Sequence, residues 1–169
     1  NMFGYTGAST LAAAAKGANV THLDASKTSV TWARKNLESS GLTDCSVRWI
    51  VDDAEKFLQR EYRRNRKYDA LIMDPPSFGR GPKGEVWNIE TQMTTLLALC
   101  KNILSESPKF ILLTTHSPGI SSLSLKNMLI KFLVSPDSGR FQTGDMSIYD
   151  TGSGLQLPNG FYARFSANP

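Results

Sequence analysis

An apolar segment, Asp69 to Met73 (DALIM), runs directly into Asp74-Pro75-Pro76-Ser77-Phe78 (DPPSF), and this junction constrains the fold more than any other stretch. A short, unbroken apolar run reads as a strand buried on both faces, the kind found in parallel sheets covered by helices. Proline fixes φ and has no N–H to give to a ladder, so the strand must stop at Asp74. An acidic residue is thereby left at a rigid strand end. In open parallel sheets that end is where ligands bind.

The rest of the chain fits an α/β sheet with crossover helices. Asn19 to Leu23 (NVTHL), Ser46 to Val51 (SVRWIV) and Lys109 to Thr115 (KFILLTT) read as further strands. Between them, Val30, Ala33 and Leu37 share one face of a helix that Ser26 caps and Gly41 stops. Asp53 opens a second helix with Ala54, Phe57, Leu58 and Tyr62 on one side. After a loop through Gly84, apolar residues from Ile89 to Leu104 recur at helical spacing, and Leu125 to Leu133 mark another helix. Cys100 falls on the core face of the longer helix, where inert burial is expected. Segments near Phe141 to Tyr149 and Gly160 to Phe165 are spaced to pair as a hairpin, punctuated by Thr151 to Gly154.

With 169 residues and no internal repeat, the chain is expected to form one domain. No apolar run approaches the length of a membrane span. Two cysteines, Cys45 and Cys100, without a CxxC pair or clustered histidines, suggest neither a disulfide framework nor a zinc site, and a reducing, cytosol-like compartment is the simplest reading. A first residue Asn1 leads us to expect that residues 1–169 are one domain truncated at its N-terminus. The net charge of +4 mildly favours a polyanionic partner.

Four strand ends carry candidate chemistry. In Phe3 to Ser9 (FGYTGAS), Gly4 and Gly7 let the backbone approach a ligand, unless they merely form a turn. Asp24 is placed to accept the hydroxyls of a ribose or, more simply, to cap a helix. Asp53 and the Ala54 amide are suited to an adenine edge, and Asp53 can also cap its helix. Asp74-Pro75-Pro76 can present acceptors to a planar amine while Phe78 stacks on its ring. In this order they outline a nucleoside cofactor across the first strands, with chemistry at the DPPSF end. No GK[ST] follows Gly7 and no GxSxG occurs, so neither a P-loop nor a serine-hydrolase elbow is supported.

FGYTGAS, HLDAS, WARKN, DDAEKFL and above all YDALIMDPPSFGRGPKGEVW resemble the class I S-adenosylmethionine-dependent methyltransferases related to the large-subunit (23S) ribosomal RNA cytosine-5 methyltransferases. The resemblance covers nearly the whole chain and is most specific from Tyr68 to Trp87. It implies a Rossmann-like, seven-stranded, mostly parallel sheet in order 3-2-1-4-5-7-6 with helices on both faces. It puts Phe3, Tyr5, Gly7 and Ala8 around the methionine part of S-adenosylmethionine, Asp24 on the ribose, and Asp53 with Ala54 at the adenine, with Ser26 among the cofactor-binding residues. Asp74 would bridge cofactor and acceptor, with Pro75, Ser77 and Phe78 shaping the acceptor pocket. No metal is implied.

The chain departs from that family in one respect. Cytosine-5 methylation needs a thiolate that adds to the ring, yet DPPSF and the motif after the next strand, Leu113 to Gly119 (LTTHSPG), contain no cysteine. A nitrogen or another activated acceptor is therefore the expected target. His116, in the second motif, is a candidate to orient the acceptor or take its proton; the alternative is a histidine that only hydrogen-bonds at a strand end.

Arg60, Arg63, Arg64, Arg66 and Lys67 read mainly as a solvated helix end. Arg80 and Lys83, beyond DPPSF, are the better candidates to meet RNA phosphates. The leading expectation is a cytoplasmic methyltransferase acting on a base of RNA, with ribosomal RNA the first choice. Methylation of a protein side chain or small molecule, and a non-catalytic cofactor-binding scaffold, are the alternatives.

Overall fold

A computed structural model describes residues 1–81 and 84–168. In chain order the elements are α1 (Ala8–Ala14), β1 (Val20–Asp24), α2 (Lys27–Ser39), β2 (Val47–Val51), α3 (Ala54–Arg63), β3 (Ala70–Met73), β4 (Phe78–Arg80), β5 (Val86–Asn88), α4 (Ile89–Ile103), β6 (Phe110–Thr115), α5 (Ser122–Phe132), β7 (Gly139–Tyr149) and β8 (Gln156–Ala167).

Helix starts are set locally. The side chains of Ser26, Asp53, Asn88 and Ser121 each accept an amide of the first turn, from Ser29, Lys56, Glu90 and Ser124 respectively.

β1 and β2 pair in parallel, as do β3 and β6, whereas β8 runs antiparallel between β6 and β7. Met2 bridges to Leu23 of β1 and to Met73 of β3, both in parallel sense. The spatial order is thus β2, β1, Met2, β3, β6, β8, β7. A two-stranded and a four-stranded sheet meet at one bridging residue, where the family resemblance implied one seven-stranded sheet. The DPPSF loop also differs from expectation. It contains a small antiparallel hairpin, β4–β5, in a region read from sequence as loop.

Strand alternation sorts the core into two sides. His22 of β1 points to Thr10 of α1, while its neighbour Leu23 joins the large cluster built by α3, α4 and α5. In β6, Ile111, Leu113 and Thr115 are buried and the residues between them half-buried. Leu96, Leu97, Met93 and Ile103 of α4 lie in the main cluster, and Cys100 is fully buried there beside Met73. Burial pushes the Cys100 thiol up to about 12, so it is inert, as its place on the core face suggested.

Part of the basic run at the end of α3 and just beyond it is engaged within the fold. Arg60 pairs with Asp52, Lys67 donates to the Asn102 carbonyl, and Arg64 lies 3.5 Å from the buried Glu61. Arg48 grips both Glu61 oxygens, at 2.6 and 3.1 Å, and the Tyr68 hydroxyl donates to the same carboxylate. Burial alone would raise the Glu61 carboxyl, but the Arg48 and Tyr68 hydrogen bonds outweigh it and hold the group at about 2.

Candidate functional site

A cavity of about 740 Å³ lies across the carboxyl ends of β1, β2 and β3. Its wall includes Phe3, Tyr5, Asp24, Ser26, Asp53, Ala54, Asp74, Pro75, Arg80 and His116, so nine sequence candidates and Arg80 meet there. This volume is in the range of small-molecule and cofactor pockets.

The FGYTG loop forms one end. Phe3 and Tyr5 both adopt left-handed φ, 57° and 47°, a conformation that costs non-glycine residues energy. Asp24 holds the loop in this shape, since its Oδ2 accepts the Tyr5 amide and its Oδ1 the Ser26 amide, both at 2.8 Å. A carboxylate has about four acceptor positions, so these two bonds leave lone pairs for a diol at the cavity wall.

The glycines are explained by the protein itself. A Cβ on Gly4 would collide with the His22 ring, and one on Gly7 would come within 2.9 Å of Ala33 Cβ and 3.2 Å of Leu11. Gly7 and Ala8 do not line the cavity. The expectation that glycine at position 7 makes room for a ligand therefore gives way to close packing of α1 on α2, together with a φ of 94°.

Asp53 caps α3 through Oδ1 and still belongs to the cavity wall, so its two expected roles are compatible in space. Asp52 accepts the Asp53 amide. Burial, with Asp53 nearby, pushes the Glu55 carboxyl upward.

The other end is built around Asp74. Thr114 Oγ1 donates to Asp74 Oδ1 at 2.6 Å, and His116 Nε2 lies 3.6 Å from the same oxygen. Ser77 and Phe78 stand outside the cavity wall. Ser77 instead hydrogen-bonds Ser117 across the two loops at 2.6 Å, and Phe78, more than half exposed, begins β4. Trp87 of β5 closes the wall, donating its indole N–H to the Pro76 carbonyl at 2.6 Å and packing on Phe3. Lys56 of α3 pairs with Glu85 beside it.

Sequence reasoning missed Trp87, Thr114, Lys56 and Glu85. Thr114, on β6 two residues before His116, was open to recognition by period; Trp87 and Glu85 depend on the hairpin, and Lys56 on its pairing with Glu85. Lys83 lies outside the described residues.

Several observations fit a nucleoside with a cationic centre. Asp24, Asp52, Asp53, Asp74, Glu55 and Glu85 against Lys56 and Arg80 give the wall an acidic balance, while Phe3, Tyr5 and Trp87 supply aromatic surface. Neither Cys45 nor Cys100 belongs to the wall, so no thiolate faces an acceptor there.

Comparison with known proteins agrees with this geometry. Residues 1–112 match the model of a family described as Conserved hypothetical protein 95. Ribosomal RNA large subunit methyltransferase K of Neisseria meningitidis is 37% identical over 84 residues, which is 49% of this chain and 24% of that protein. Ribosomal RNA large subunit methyltransferase K/L of Aliivibrio fischeri is 31% identical over 109 residues, 63% of this chain and 15% of the relative. The chain thus spans about a quarter or less of the length of these curated relatives. A SAM-dependent methyltransferase from Agrobacterium tumefaciens superposes with a TM-score of 0.91 at 38% identity, over 99% of this chain and 55% of that one. The architecture is accordingly the Rossmann-like fold of these methyltransferases.

Proposed function

The chain belongs to the Conserved hypothetical protein 95 family, and from that premise we propose that it is an S-adenosylmethionine-dependent methyltransferase acting on a base of ribosomal RNA. One observation carries the reading: a single acid-rich cavity joins the Asp24 loop clamp to Asp74-Pro75-Pro76. The names of the relatives support RNA as the substrate class, and a ribosomal RNA substrate fits work in the cytoplasm. The Met2 bridge between β1 and β3 supports reading the sheet in the order 3-2-1-4-5-7-6.

When bound, S-adenosylmethionine supplies an electrophilic methyl group on a sulfonium. Phe3 and Tyr5 flank its methionine part, Asp24 and Ser26 hold the ribose, and Asp53 with Ala54 meets the adenine. Asp74 and the carbonyls of the rigid proline turn orient the acceptor, which with no cysteine in the wall is a nitrogen rather than cytosine C5. His116 takes the acceptor's proton. Ser77 braces the turn through Ser117. Phe78, exposed at the start of β4, is available to stack on a base, and Arg80 meets a phosphate. Displacement of this kind needs alignment above all, and paired loops on a rigid sheet provide it.

Calorimetry with S-adenosylmethionine, followed by methyl transfer to unmodified ribosomal RNA or to protein extract with nucleoside mass spectrometry, tests the proposal. Binding and a labelled base in RNA are expected. Label appearing only in protein would refute the RNA assignment, and failure to bind would refute the cofactor.

A further inference from the structure

The long β7–β8 hairpin reaches the site through one contact. His116 Nδ1 lies 2.5 Å from the main-chain carbonyl oxygen of Asn159, 43 residues away in sequence. A carbonyl only accepts, so Nδ1 must carry the proton. The opposite tautomer would set two acceptors against each other at that distance. Its Nε2–H would also find Asp74 Oδ1 only at 3.6 Å, beyond a good hydrogen bond.

Gly160 is what allows the contact. Its φ is 125°, and a Cβ there would collide with the Thr115 carbonyl oxygen and come within 3.2 Å of His116 Nδ1 and 3.0 Å of Met146. The hairpin can pass this close to the end of β6 only with glycine at that position. Directly beyond it, the pairing of β7 and β8 shifts register between Met146 and Ser147.

We propose that Gly160, acting through the Asn159 carbonyl, is a positioning residue that locks His116 in the Nδ1–H tautomer and aims the bare Nε2 at the acceptor. This rests on the assignment of His116 to the acceptor's proton. In that step the nitrogen would form a bond to the methyl group as the methyl's bond to the sulfonium breaks and leaves its pair on sulfur; the acceptor N–H bond breaks, its electron pair stays on the nitrogen, and the proton ends on Nε2. The resulting imidazolium keeps its Nδ1–H on Asn159 and faces the Asp74 carboxylate, which stabilises it.

The tautomer is measurable on the free protein. The chain has two histidines, His22 and His116, so long-range proton–nitrogen spectra of the ¹⁵N-labelled 169-residue chain at a pH above the ordinary histidine range are simple, and His116→Gln assigns them. A protonated Nδ1 and a bare Nε2 on His116 are expected; a protonated Nε2, or averaged signals, would overturn the proposal. Gly160→Ala should move the ring to averaged signals and lower kcat about 100-fold while KM and cofactor affinity hold. An unchanged tautomer or unchanged kcat in that variant would equally overturn it. If the variant does not fold, the wild-type spectrum still decides. Because the spectrum needs neither cofactor nor RNA, failure of the tautomer assignment is distinguishable from failure of the methyl-transfer assay.

Discussion

The two ends of the cavity are built in different ways. At the end proposed for the cofactor, Asp24 and Asp53 bind main-chain amides of a neighbouring loop or of their own helix start, from Tyr5, Ser26 and Lys56. At the end proposed for the acceptor, the ties join distant segments: Thr114 to Asp74, Ser77 to Ser117, and His116 to Asn159. The first end is shaped by short stretches of chain. The second depends on β3, β6 and β8 keeping their register, so its chemistry is more sensitive to distant changes.

Substitutions can break this contrast. Asp74→Ala should lower kcat by about 100- to 1000-fold, because it removes the acceptor's orienting carboxylate and the counter-charge beside His116. Single-turnover methyl transfer measures it, and a loss confined to KM would contradict the assignment. Asp24→Ala should weaken S-adenosylmethionine by about 10- to 100-fold, the worth of hydrogen bonds to a charged group, with a smaller effect on kcat at saturation. Calorimetry reads that split directly.

Acid should loosen the cofactor end first. Burial lowers the His22 imidazole, beneath the FGYTG loop, from its ordinary 6.5 to about 4. A group whose native value is depressed binds protons more readily when unfolded, so its stabilisation is complete above pH 6.5 and is lost as pH falls toward 4. Glu61, held at about 2 against an ordinary 4.5, follows in a second window between pH 4.5 and 2. Each window is worth about 3 kcal/mol. Urea midpoints against pH test this, with His22→Asn expected to flatten the upper window and Glu61→Gln the lower. The smallest effect is expected from Ser117→Ala, which unties the two acceptor loops at a cost of about 1 kcal/mol. A several-fold drop in kcat with unchanged cofactor affinity would place its role at the acceptor end, and equal loss in both would erase the distinction.

What could be read from sequence follows the same division. The buried strand ending at Asp74, the caps at Ser26 and Asp53, and the carboxylates at successive strand ends are encoded by neighbouring residues, and the structure places them as expected along the chain. The β4–β5 hairpin was missed because three-residue strands are too short to show a period. β8 begins at Gln156 and runs through Pro158, earlier than the segment expected from Gly160, because a proline inside a run weakens the strand signal. Gly4 and Gly7 show another limit. Composition reveals that a Cβ is excluded but not by what, and here the excluding atoms belong to His22 and Ala33. The Asn159 contact uses a main-chain oxygen, so no side-chain pattern could announce it.

The indole that closes the cavity also has an optical consequence. Trp87 is almost wholly buried, its N–H is committed to Pro76, and its ring rests on Phe3 at the wall. Indole emission responds to polarity and to stacked neighbours, so a nucleoside entering the cavity should shift or quench it. Trp32 is exposed on α2 and Trp49 lies beside His22, both outside the cavity wall. Replacing these two with phenylalanine would leave a protein whose own fluorescence reports occupancy without a label, and so the rates at which cofactor enters and spent product leaves.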